Sequence, residues 1–103
     1  MQRIAICAPA TPITRAIASQ VIEVAGRRAD VELHFHEQCF AADGHFAGSD
    51  TVRLAALLEC ANDPAFDAVW FAKGGYGAAR IAREAIAGMN KAAREKRFAG
   101  YSD

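Results

Sequence analysis

Ile4 to Ala8 is a continuously apolar run closed by Pro9, the pattern of a strand buried on both faces of a parallel sheet. Thr11 then offers a helix cap, with Pro12 at the first helical position. Ile13, Ala16, Ile17, Val21, Val24 and Ala25 recur at three- and four-residue spacing and predict one apolar helix face. Gly26 or the pair Arg27-Arg28 ends that helix. Val31 to His36 alternates apolar and polar with period two, a second strand. Glu37 to Gly48 keeps no period and reads as a long functional loop. Ser49 caps a second helix whose apolar positions are Val52, Ala55, Ala56, Leu57 and Leu58, ending at Asn62-Asp63-Pro64. Ala68 to Ala72 is a third buried strand, Ala78 to Ala87 a third helix, and Phe98 to Tyr101 a fourth strand.

Strands and helices alternate throughout. That order predicts an α/β fold: a parallel sheet of about four strands, right-handed crossovers, and helices on both faces, Rossmann- or flavodoxin-like. Functional loops of such folds gather at the carboxyl ends of the strands. Pro9-Ala10, the loop from His36 to Gly48, Gly74 to Gly77 and Ser102 all follow strands, so a shared site on one sheet edge is expected. The sequence shows no internal repeat, linker or low-complexity tract, so residues 1–103 read as one domain.

Composition narrows the function. Lys+Arg and Asp+Glu balance at 12 each, against a nucleic-acid or anionic-membrane partner, which calls for basic excess. The run Lys91 to Arg97 reads as a solvated helix end or loop. Cys7, Cys39 and Cys60 are odd in number, far apart and without metal-ligand spacing, which fits a reducing compartment. The apolar run before Pro9 is too short for a signal or membrane-spanning segment, so a cytosolic location is expected. Trp70 reads as core, its indole N–H needing an acceptor.

Several groups could carry chemistry. Gly74-Gly75-Tyr76-Gly77 lies between a strand and a helix, where glycines admit close backbone approach and the helix start presents N–H groups. It fits neither phosphate-binding glycine pattern, leaving a backbone donor for an oxyanion or carboxylate, or a plain tight turn. Arg80 falls in the first turn of the third helix, where the dipole disfavours a cation. A salt bridge or a substrate carboxylate would account for it. His34 and His36 share a strand face but lack a third metal ligand, so they read as solvent-facing, as does the loop residue His45. Asp43 and Asp50 suit loop hydrogen bonds, and Asp50 also suits a helix N-terminus. Finally, Gly100-Tyr101-Ser102-Asp103 follows a strand. A serine in a strand-to-helix turn is the geometry of a nucleophile elbow, with the next N–H available to an oxyanion. Either the motif is accidental, or it opens a longer enzyme whose sequence is interrupted here at its nucleophile.

Taken in order, Ala8-Pro9, Gly48-Ser49-Asp50 with Arg53-Leu54, Asp63-Pro64, Asp67-Ala68-Val69, Gly74-Gly75-Tyr76-Gly77 with Arg80, and Gly100-Tyr101-Ser102-Asp103 resemble the N-terminal domain of the LD-carboxypeptidases. These serine peptidases include muramoyltetrapeptide carboxypeptidase and microcin C self-immunity peptidases. The resemblance runs over essentially the whole chain. It implies Ser102 as nucleophile and an oxyanion hole from the N–H groups of Gly75 and Asp103. Gly74, Tyr76 and Arg80 are then the candidate substrate-binding residues. The triad's glutamate and histidine are expected from a C-terminal domain absent from this sequence; His34, His36 and His45 do not match that histidine. The substrate implied is a murein tetrapeptide losing its terminal D-alanine in cell-wall recycling, with no cofactor or metal. A homodimer is one expected assembly. Lacking the general base, these residues alone are expected to be inactive. Lys73 departs from the arginine the family often places there, and a lysine lacks the bidentate fork. Three alternatives stand beside this reading: a microcin C-type immunity peptidase, a non-catalytic α/β domain binding an anion at the glycine-rich turn, and a truncated remnant without function.

Overall fold

The computed structural model describes residues 2–42, 44, 46–73 and 77–100. Strand β1 (Gln2–Cys7) leads to helix α1 (Arg15–Ala25) and strand β2 (Val31–Phe35). A short 3-10 helix (Glu37–Phe40) precedes α2 (Asp50–Asn62), β3 (Ala68–Phe71), α3 (Gly77–Gly88), the single-turn α4 (Lys91–Arg94) and β4 (Arg97–Ala99). The sheet order is β2-β1-β3-β4 and every pairing is parallel, with Ile4 beside both Leu33 and Ala68 and Val69 beside Phe98. The α/β class and four-stranded parallel sheet read from the sequence are therefore present. Among the described residues no helix is long and apolar enough to cross a membrane.

Alternation along β1 sends its side chains to two cores, as the period of a strand requires. Ala5 and Cys7 join Val69 with Leu57 and Cys60 of α2 and Ile81 and Ala85 of α3. Ile4, Ile6 and Ala8 join Cys39, Ala47 and Ala68, with Leu33 and Phe35 packed alongside. On this second face α1 stands off the sheet. Between them lies a cavity of about 630 Å³ lined by Ile4, Val21, Val24, Val31, Leu33 and Trp70.

Local expectations fail where tertiary contacts intervene. Helix α1 is capped by Thr14, whose Oγ1 accepts from Ile17 N at 3.2 Å, and not by Thr11. Main-chain bonds from Ile13 N to Cys39 O (3.0 Å) and from Ala47 N to Ala10 O (2.9 Å) hold the preceding segment to neighbouring loops. Ala18 is the buried residue of α1, whereas Ile17, Val21 and Val24 of the predicted apolar face are exposed. Trp70, read as core, is 40% exposed because α1 leaves its end of this sheet face uncovered. In α2 the buried stripe is Arg53, Ala56, Leu57, Cys60 and Ala61; Val52 and Ala55 face outward. Part of the loop after β2 is the 3-10 helix, and β4 ends at Ala99.

Candidate functional site

Pro9, Gly48, Asp50, Lys73, Arg80 and Gly100 all lie just beyond the carboxyl ends of strands or at the helix starts that follow them. Two side chains hold these loops in place. Gln38 and Arg53 are the buried polar residues among the described ones. The Gln38 Nε2 donates to Ala8 O at 2.6 Å and to Ala47 O at 2.7 Å, while its Oε1 accepts from Ala8 N at 3.0 Å. The end of β1 is thereby fixed to the loop before α2. Such a group is expensive to bury without acceptors and rigid once it has them.

Arg53 does the same one turn further on. Its side chain is fully buried, 0% exposed. Nη1 donates to Pro9 O at 2.7 Å, Nε to Gly48 O at 3.1 Å, and Nη2 to Asp50 Oδ1. Its guanidinium lies over the Phe46 ring, 4.8 Å from the centroid. Helical spacing explains the burial: residues 53, 56, 57, 60 and 61 lie on one stripe of α2, and Arg53 occupies its N-terminal end at the sheet edge. Ser49 caps the helix, its Oγ accepting from Val52 N at 3.2 Å. Gly48 has φ +91°, a conformation L-residues avoid, and a Cβ there would sit 2.8 Å from Val52 Cγ1.

Asp50 shares its carboxylate between two arginines. Oδ1 accepts from Arg53, and Oδ2 accepts from Arg80 Nε at 3.2 Å. Arg80 also lies over Phe46, 5.4 Å from the centroid. Among the described residues, this carboxylate lies between a buried guanidinium and an exposed one. The salt bridge expected for Arg80 is thus present, and its side chain remains 57% exposed. Sequence reasoning does not single out Gln38, and it names Arg53 only among the residues that carry the family resemblance, without a role. The available signal is that position 53 continues the buried stripe of α2.

At the far edge, β4 delivers Gly100 against Phe71. A Cβ on Gly100 would lie 2.7 Å from Phe71 Cδ2 and 3.0 Å from its Cβ, so only glycine fits without displacement. Ser102, Asp103, Gly74, Gly75, Tyr76, His45 and Asp43 lie outside the described residues. Lys73 is exposed at the end of β3.

The two described histidines have carboxylate partners. His34 and His36 are half-buried rather than solvent-facing, set against Glu32 and Glu59 respectively. The His36 Nδ1 also accepts from Gln38 N at 3.0 Å, capping the 3-10 helix. Among the described residues no group of three metal-ligating side chains comes together. The thiols Cys7, Cys39 and Cys60 are free and buried. A hydrogen bond with Cys60, together with burial, pushes the Cys7 thiol up; burial pushes Cys39 up to about 12. Both stay protonated and are poor nucleophiles.

The chain is 34% identical over 102 residues to a Rickettsia conorii protein named "Putative carboxypeptidase", covering 97% of this chain and 31% of that protein. It is 42% identical over 57 residues to a Rickettsia prowazekii protein of the same description, covering 55% of this chain and 18% of that protein. The chain therefore spans less than a third of the length of these relatives. Residues 4–103 match the family model of the LD-carboxypeptidase N-terminal domain, and the chain belongs to that family.

Proposed function

We propose that this chain is the nucleophile-bearing N-terminal domain of a serine LD-carboxypeptidase that releases terminal D-alanine from murein tetrapeptides. Ser102 attacks the carbonyl that precedes the terminal D-alanine. A histidine oriented by a glutamate, both supplied by a C-terminal domain, takes the hydroxyl proton and returns it to the leaving amine. The N–H groups of Gly75 and Asp103 hold the oxyanion. Arg80, exposed and cationic at the loop edge, binds the terminal carboxylate that a carboxypeptidase must recognise. Gly74 and Tyr76 are the further substrate-binding residues of this reading.

The observation that carries this reading is the end of β4. The chain leaves the sheet at Gly100, flush against Phe71, and Ser102 follows two residues later in a segment that matches the family through residue 103. The test is D-alanine release from a muramoyl tetrapeptide by the full-length polypeptide, beside its Ser102→Ala variant. Release by the wild type alone supports the reading. A folded wild type that releases nothing sinks it.

A further inference from the structure

We propose that Arg53 and Asp50 are positioning residues that hold Arg80 as the anchor for a substrate's terminal carboxylate. The proposal rests on the carboxylate-binding role given to Arg80 above and asks what makes that residue fit for it. An exposed arginine near a helix N-terminus is a poor anchor by default. The dipole opposes its charge, and binding would freeze a side chain rich in rotamers. Two contacts offset both costs: Asp50 Oδ2 on Nε and the Phe46 ring beneath the guanidinium. Among the described residues only the Nε of Arg80 is engaged, so its two terminal nitrogens remain for a bidentate ligand.

Arg53 fixes the position of Asp50. Buried and bonded to Pro9 O and Gly48 O, it also donates to Asp50 Oδ1. Asp50 so held offers its Oδ2 to Nε, which keeps the guanidinium of Arg80 in one orientation. Its chemistry selects a planar carboxylate over a neutral amide.

The test compares a tetrapeptide ending in D-alanine with the same peptide ending in D-alaninamide. Affinities are measured by calorimetry in the full-length Ser102→Ala protein, where neither peptide is consumed. Arg80→Gln is expected to abolish the preference for the acid, on the order of ten- to a hundredfold for a charged bidentate contact. Asp50→Asn discriminates between explanations. Charge alone predicts tighter acid binding, because a carboxylate has been removed. Positioning predicts a preference weakened by about tenfold, the cost of one lost charged hydrogen bond. In the double variant Asp50→Asn lowers the preference no further. The asparagine keeps an oxygen that can accept from Arg53, and a thermal melt of the variant establishes that it is folded before binding is measured.

Equal binding of the two peptides by the parent protein, or binding of neither, overturns the proposal. So does an Asp50→Asn protein with undiminished preference, or losses that multiply in the double variant. Absence of D-alanine release by wild type beside an intact acid preference removes the peptidase reading and leaves this one standing.

Discussion

Polar and apolar side chains exchange their usual places between two regions of this domain. At the loop edge of the sheet, a glutamine and an arginine are buried and bonded to main-chain carbonyls. On the face carrying α1, Ile17, Val21, Val24 and Trp70 are exposed to solvent. The buried polar pair fixes Ala8, Pro9, Ala47 and Gly48, the chain on either side of the candidate site. The exposed apolar set fixes nothing among the described residues. Buried side-chain bonds to the main chain are concentrated at the edge of the candidate site rather than around α1.

Substitution of Arg53 tests this contrast most severely. Arg53→Met retains much of the volume but strips Pro9 O, Gly48 O and Asp50 of their donor. Losing one side of such a buried network costs about 3–5 kcal/mol. Urea denaturation of this chain should show that loss, and Arg53→Lys should recover part of it, since one ammonium cannot reach all three acceptors. Gln38→Leu is expected to cost less, about 2–3 kcal/mol, because it leaves neutral carbonyls and one N–H unpaired. Near-neutral values for both would show that the loops are held by something else.

Gly100→Ala comes next. The added methyl meets the ring and Cβ of Phe71, so either β4 or the ring must shift, at about 1–3 kcal/mol. In the full-length polypeptide the same change should depress D-alanine release more than it depresses stability, because Ser102 lies two residues on. A variant as active as wild type would detach the proposed nucleophile, Ser102, from the packing of β4.

Much of this architecture is legible in the chain. Strands β1 and β3 announce themselves as continuous apolar runs, and their alternation with helical periods yields the parallel order. Ser49 is readable as a cap because its side chain bonds three residues ahead. Thr14 is not, because Thr11-Pro12 offers an equally good local start and only long-range main-chain bonds decide between them. Trp70 misleads for a related reason: an aromatic in a buried strand is core only if something covers it. Arg53 and Gln38 are hidden most deeply. Their acceptors are carbonyls brought close by the fold, and residue type alone argues for the surface. As for Ser102 and the glycine-rich turn, composition and periodicity left them open; the family resemblance points to them, and they lie outside the described residues.

The exposed side of the comparison predicts small effects. Val24→Lys, at a position 60% exposed, should stay within about 0.5 kcal/mol of wild type in the same denaturation assay. A loss several times larger would mean that the α1 face is covered in solution, and the contrast would fail. Smaller still is the Arg15–Glu37 pair, 2.7 Å apart and largely exposed. Its hydrogen bond and charge from Arg15 hold the Glu37 carboxyl below the ordinary glutamate range. A depressed carboxylate pKa means stability present above the unfolded value and lost as pH falls through the folded one. The Tm difference between wild type and Glu37→Gln should therefore be slight at pH 7, shrink further with added salt, and vanish in acid. A difference that grew on acidification would reverse the sign of the linkage. A large one at neutral pH would mean that this solvated pair anchors the 3-10 helix to α1 as firmly as Arg53 anchors the loops.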